Sequence, residues 1–247
     1  MCKRIVCRQS GQSGKIGDMP ILDHQEKRLV KTADGSHSID LPGLAEQYHS
    51  THGAIQESQH VFIDHGYGHA QPAPPRRLQV LEMGFGTGLN VLLTWAAAER
   101  ERLPVSYTTL EAHPLRPEFA HQLNYPRQIR VSGADAVFAA LHECAWSIPQ
   151  SLGMHFTFLK LRIRLQDFEP GERFDLIYYD AFSPNVQPEL WTREIFEKLY
   201  RSLSNGGLLL TYCAKGQVKR NLKAAGFIVE NLPGPPGKRE ITRAYKP

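Results

Sequence analysis

Between Leu78 and Asn90 the chain reads Leu-Gln-Val-Leu-Glu-Met-Gly-Phe-Gly-Thr-Gly-Leu-Asn, an order that few folds accommodate. An apolar run (Leu78, Val80, Leu81, Met83) stops at three alternating glycines, Gly84, Gly86 and Gly88. Leu89, Leu92, Leu93 and Ala96 then recur at the i, i+3, i+4, i+7 spacing of one buried helix face. The reading is a strand, a glycine turn and a helix N-terminus. Such a turn offers backbone N–H groups and the positive end of a helix dipole to a polar or anionic ligand.

The spacing narrows the ligand. Dinucleotide folds use G-x-G-x-x-G, whose last glycine permits close helix–strand packing around a pyrophosphate. Here the spacing is G-x-G-x-G, and Glu82 stands two residues before the first glycine. A carboxylate there would repel a pyrophosphate and accept hydrogen bonds from an amino-acid ammonium group. The pattern E-x-G-x-G-x-G resembles motif I of the class I methyltransferases, which bind S-adenosylmethionine (SAM). That resemblance makes Glu82, Gly84, Gly86, Thr87 and Gly88 candidate cofactor residues. The plainer alternative is a glycine turn that serves only tight packing.

Length and composition suit one α/β domain with an appendage: 247 residues, 41% of them hydrophobic. No apolar run approaches the ~20 residues of a membrane span. Met1 to Gly17 is basic and rich in Gly, Ser and Gln without an apolar stretch, so it does not read as a secretory signal. The four cysteines, Cys2, Cys7, Cys144 and Cys213, lack zinc-ligand spacing. Reduced thiols, a cytoplasmic location and no metal are the expectation. Net charge is +4, but eight lysines or arginines face two glutamates from Tyr212 onward. That excess is either a solvated basic face or a phosphate-contacting surface.

Along the chain, residues 1–27 read as a loose tail and 28–75 as a hairpin and helix extension. Residues 76–247 read as the main domain. Leu29–Thr32 and Ser36–Leu41 flank an Asp34-Gly35 pair, a hairpin signal. The end of Tyr48–Ile63 is helical in spacing. Strands are expected at Val105–Leu110, Phe156–Leu165, Phe174–Asp180 and Leu208–Cys213, with a closing pair at Phe227–Leu232 and Ile241–Tyr245. The Lys and Arg content of Phe156–Leu165 points to a sheet edge. Residues 117–147 read as irregular helix, Pro188–Leu203 as an amphipathic helix and Gln217–Ala225 as a last one. Alternation of this kind requires a mainly parallel sheet covered on both faces. It matches the seven-stranded, Rossmann-like sheet of the class I SAM-dependent methyltransferases. Ligands of such sheets lie at the carboxyl ends of strands, where Glu82, Glu111 and Asp180 fall. Glu111, 23 residues after Gly88, stands where nucleotide-binding folds place a ribose-binding carboxylate. Asp167 is expected in a loop on the same side, at the adenine end.

Three further segments carry a narrower likeness. They are Ala33-Asp34-Gly35-Ser36 with His52-Gly53-Ala54 and Glu57-Ser58; Asp180-Ala181-Phe182-Ser183-Pro184 with Gln187-Pro188-Glu189-Leu190-Trp191; and Thr211 to Gly216 with Gly234 to Glu240. From about Arg28 to Lys246 the chain resembles the methyltransferase domain of the MnmC family, bacterial enzymes of tRNA wobble-uridine modification. Departures are the first 27 residues, which match nothing, and Asn205 where a proline is common.

The resemblance implies methylation of the amine of 5-aminomethyl-(2-thio)uridine in the tRNA anticodon, with a separate enzyme supplying that substrate. On this reading Asp180 orients the amine and accepts its proton. Phe182 and Tyr212 flank the extruded base, beside Pro184. Lys215, Lys238 and Arg239 meet tRNA, the last two at anticodon-stem phosphates. Rival readings are a SAM methyltransferase acting on a protein or small molecule, a non-catalytic tRNA-binding relative, and an NAD oxidoreductase. Glu82 and the glycine spacing weigh against the last.

Overall fold

The computed structural model describes residues 25–70, 77–171 and 173–247. Most of the expected tail therefore lies outside the described residues. Strands β1 (Arg28–Lys31), β2 (His37–Leu41) and β3 (Glu46–Gln47) form a small antiparallel sheet. The Asp34-Gly35 turn does more than reverse the chain. Helix α1 (Ala54–Ser58) opens on Gly53, which has no side chain to cap it, and the hairpin supplies the missing acceptors. Asp34 Oδ2 takes the N–H of Gln56 (3.0 Å) and Ser36 Oγ that of Ala54 (3.2 Å). Helix α1 runs on into a π-helical segment, Gln59–Tyr67.

The main sheet is built from β4 (Leu78–Met83), β5 (Val105–Leu110), β6 (Gln150–Ser151), β7 (Phe156–Leu161), β8 (Phe174–Tyr179), β9 (Leu203–Thr211), β10 (Ile228–Pro233) and β11 (Glu240–Tyr245). Their spatial order is β10-β11-β9-β8-β4-β5-β7-β6. The five strands from β9 to β7 pair parallel, whereas β10, β11 and β6 pair antiparallel. Seven strands are those expected; the eighth is the two-residue β6, too short to leave a periodic signature. Helices α2 (Leu89–Glu101), α3 (Pro117–Ala120), α4 (Tyr125–Ile129), α5 (Ala134–Glu143), α6 (Arg193–Ser202) and α7 (Gly216–Ala224) join them.

Alternation along β4 sends Leu78 and Val80 into one core layer and Leu81 and Met83 into the other. Ile195, Leu199, Val218 and Leu222 from α6 and α7 fill the second layer. The first holds α2 and α5, and also Ile39, Val61, Phe62 and Tyr67. The N-terminal extension is thus part of the core. From β4 the chain runs outward through β5 to β7, then crosses back to β8 on the other side of β4. This is a topological switch point, where α/β sheets open a ligand crevice.

Two expectations need correction. Strand β7 stops at Leu161, so Arg162 and Arg164 lie beyond it, and Lys160 is 1% exposed rather than edge-facing. Its ammonium donates to the carbonyls of Leu141 (2.9 Å) and His142 (2.7 Å) in the last turn of α5 and lies 4.8 Å from the Trp146 ring centroid. A helix C-terminus and an aromatic face make that burial tolerable. The predicted Pro188–Leu203 helix is split: a 3₁₀ turn at Pro188–Trp191 precedes α6, because Thr192 caps α6 by accepting the N–H of Ile195.

Candidate active site

A cavity of about 470 Å³ opens at the carboxyl edge of the sheet, outside the ends of β4, β5, β8 and β9. Its floor is the loop Met83–Thr87 with Asn90 on the first turn of α2. Gly84 and Gly86 both need positive φ (+93° and +49°), and the loop is pinned by its neighbours. Gly84 N–H donates to Leu110 O (3.0 Å) and Gly86 N–H to Glu111 Oε2 (3.0 Å). Glu111 also accepts the N–H of His113 (2.8 Å), which holds its carboxylate at the end of β5. Thr87 Oγ1 pairs with His49 Nε2 (2.8 Å). Burial pulls the His49 imidazole down to about 4, so it is neutral near pH 7. Gly88 caps α2 and does not line the cavity.

Two carboxyl groups lie close together here. Asp180 lines the cavity and accepts Asn90 Nδ2 (2.9 Å). Burial raises it to about 7, against the Asn90 bond, with Glu57 pushing further up and Lys238 down. Glu82 lies beneath the floor, fully buried, and accepts Thr109 Oγ1 (2.7 Å). Burial lifts it to about 8, the Thr109 bond opposing and nearby Asp180 adding to the rise. Its second oxygen, and Asn90 Oδ1, have no hydrogen-bond partner among the described residues. A carboxyl raised on folding adds stability below its unfolded value near 4.5 and loses it as pH climbs through 8. In Glu82→Gln that slope disappears. Urea unfolding at pH 5 and pH 9 is expected to show the variant gaining on the wild type by about 4 kcal/mol at the higher pH. An unchanged difference would place Glu82 in an ordinary environment.

The remaining candidates divide. Phe182 lines the cavity, edge-on to Tyr48 at 5.1 Å between ring centroids. Tyr212 also lines it; its hydroxyl donates to Ala181 O (2.9 Å), and the Lys238 ammonium sits 4.2 Å from its ring centroid. One face of Tyr212 is therefore occupied by Lys238, and both aromatics expected beside the base line the cavity. Lys238 points inward and forms an ion pair with Glu57. It is not the outward phosphate contact expected from the loop's charge. Pro184, Lys215 and Arg239 line an adjoining groove of about 420 Å³ that shares Tyr212 and Lys238 with the cavity. Asp167 is outside both: it pairs with Arg164 (2.7 Å) across one turn of a 3₁₀ helix. Among the described residues no group of three or more His, Cys, Asp or Glu could hold a metal ion.

The extension and the β10–β11 loop meet over the cavity as a roof. Besides Lys238–Glu57, His60 Nε2 hydrogen-bonds to Pro233 O (2.8 Å), and Gly237 packs against His52. Sequence reading assigned no role to Tyr48, His49 or Glu57, although His52-Gly53-Ala54 and Glu57-Ser58 were part of the family likeness. Asn90, two residues past the motif, has no role in the sequence reading either.

The model of an S-adenosyl-L-methionine-dependent methyltransferase family matches residues 133–247. The bifunctional protein MnmC of tRNA 5-methylaminomethyl-2-thiouridine biosynthesis from Ralstonia nicotianae is 35% identical over 217 residues, covering 81% of this chain and 32% of the relative. The Cupriavidus necator protein of the same description is 33% identical, covering 82% and 32%. MnmC2 from Aquifex aeolicus superposes with a TM-score of 0.71 at 24% identity, covering 91% of this chain and 72% of that one. The chain is thus similar over about four fifths of its length to these MnmC proteins, and its C-terminal part matches the SAM-dependent methyltransferase family. It spans about a third of the length of the curated MnmC relatives it matches. Spermidine synthase from Thermotoga maritima shares the fold, with a TM-score of 0.53 at 15% identity.

SAM, the cofactor of this family, fits the residues present. The glycine loop keeps side chains off the cavity floor, Glu111 stands at the end of β5, and Asn90 lines the same space while its Nδ2 holds Asp180. The segment Asp180-Ala181-Phe182-Ser183-Pro184 follows β8 directly, which brings its acid to the cavity and its proline to the groove.

Proposed function

We propose that this chain methylates the amine of 5-aminomethyl-(2-thio)uridine at the tRNA wobble position, using SAM and giving the 5-methylaminomethyl product. The observation that carries the reading is Asp180, a carboxyl raised to about 7 in the cavity that also holds the glycine loop and Glu111. The relatives named for biosynthesis of this nucleoside support the choice of substrate. Bound SAM supplies a methyl group on a positively charged sulfur. Gly84, Gly86, Thr87 and Asn90 line its seat, Glu111 takes ribose hydroxyls, and Glu82, protonated near pH 7, supports the floor from beneath. Asp180 orients the amine and accepts its proton, since an ammonium has no lone pair with which to attack. Asn90 fixes the Asp180 carboxylate, and alignment of this kind supplies up to ~7–11 kcal/mol of barrier reduction. Phe182, backed by Tyr48, offers one face to the base.

The same proposal includes a cytoplasmic enzyme, a division into extension (28–75) and main domain (76–247), an anticodon target, and a separate enzyme that provides the aminomethyl group. Nucleoside mass spectrometry tests it: purified protein, SAM and tRNA bearing aminomethyluridine should yield the methylaminomethyl nucleoside. Absence of that product would overturn the reading.

The adjoining groove is the place for the RNA backbone. Lys215, which also bonds Asn185 Oδ1 (2.8 Å), and Arg239 are its phosphate contacts. Replacing both by Ala is expected to weaken tRNA binding and to flatten its log–log salt slope by about 2, with SAM affinity unchanged. An unaltered slope would return the basic segment to a solvated face.

A further inference from the structure

Two charged side chains of the cavity have no part in the chemistry above. Glu57, on α1, is 7% exposed; its Oε2 accepts the N–H of Ser50 (2.8 Å) and its Oε1 receives the Lys238 ammonium. Lys238 is held from a second side by the Tyr212 ring. Gly237 beside it takes φ +84°, with His52 where a Cβ would stand. Both charges act on Asp180, so a carboxyl, an ammonium and a second carboxylate face one space. An apolar contact would tie α1 to the β10–β11 loop without the cost of desolvating two ions. Charges retained at a cavity wall point instead to something that they bind.

We propose that the Lys238–Glu57 pair reads the Watson–Crick edge of the target base and makes the site specific for a uracil ring. This rests on the methylation proposed above. With the C5 aminomethyl group at Asp180, the next group along the ring is O4, an acceptor, followed by N3–H, a donor. An ammonium followed by a carboxylate is the complement. Cytosine presents the reverse order, an amino donor at C4 and a bare acceptor at N3, and both contacts become repulsive. The capacity is there: the ammonium has three N–H groups, and each Glu57 oxygen keeps a second lone pair. Two such contacts separate a right base from a wrong one by about 5- to 150-fold.

The test uses two RNA hairpins that differ only in carrying 5-aminomethyluridine or 5-aminomethylcytidine. Single-turnover methylation is measured, together with binding in the presence of the demethylated cofactor. Wild-type protein is expected to favour the uridine hairpin by about 10-fold or more. Glu57→Gln, whose amide can donate to cytosine N3, should bring the ratio close to one while SAM binding stays intact. Lys238→Met should narrow it less. Equal wild-type rates on the two hairpins would overturn the base reading and leave the methylation standing, without recourse to any variant. A uridine preference in binding with no turnover would sink the methylation and uphold the base reading. A preference that survives in both variants would reduce the pair to a tie between two segments.

Discussion

Asp180→Asn is expected to keep the fold and most SAM affinity while losing methyl transfer by about 10²- to 10⁴-fold, the usual yield of a positioned general base. The substitution is nearly isosteric, and Asn90 Nδ2 can still donate to the side-chain oxygen in place of the 2.9 Å bond it makes now. What is lost is a group able to take a proton. Because burial raises the Asp180 carboxyl to about 7, wild-type turnover should climb as pH passes that value and the carboxylate forms. The variant should lose this step and recover partly at high pH, where more of the amine is already unprotonated. Single-turnover rates across pH on aminomethyluridine tRNA distinguish the cases. A wild-type rate in the variant would remove Asp180 from the chemistry, and a loss that no pH relieves would leave it only an orienting role.

Gly84→Ala should be nearly as damaging, for a different reason. At φ +93° an L side chain is strained, and its Cβ would lie 2.8 Å from the carbonyl oxygen of Asp180. Both partners are backbone, so neither can swing away. Asp180 N–H also donates to Met83 O (3.1 Å), so any adjustment moves Asp180 with the loop. A cost of about 2–3 kcal/mol corresponds to a fall in melting temperature of roughly 5–10 °C for a chain of this size. Activity and SAM affinity should drop with it. Gly86→Ala is the control: φ +49° lies in the left-handed well, and its Cβ would meet only the Tyr48 ring at 3.3 Å, a side chain that can shift. Thermal melts and SAM calorimetry that ranked the two alike would show the loop to be less constrained than this geometry requires.

The parts of the molecule legible in sequence are those fixed by neighbours in the chain. A strand, three glycines and a helical face are a local pattern, and strand ends place Glu111 and Asp180 at the cavity without knowledge of any partner. Asp167 lies outside the cavity and has a local partner, Arg164, three residues away. The direction of Lys238 was not legible, because it depends on Glu57 from the other end of the chain. Lys160 misled for the same reason, since its acceptors are the carbonyls ending α5, and composition says nothing of where those lie. Tyr48 and His49 are ordinary residues in sequence that matter only because the extension folds over Gly86 and Thr87.

The roof has a consequence for the order of assembly. Its contacts join residues 181 and 173 positions apart, Glu57 with Lys238 and His60 with Pro233, whereas Glu111 reaches Gly86 across 25. Closing such long loops is entropically unfavourable and is repaid only once the intervening sheet exists. The floor can form with the first βαβ unit, β4 to β5, but the roof must wait for the last hairpin to pair with β9. If the Glu57–Lys238 pair reads the base as proposed, base recognition is the final act of folding, and an incompletely folded chain would carry the cofactor cradle before it had a complete site for the base.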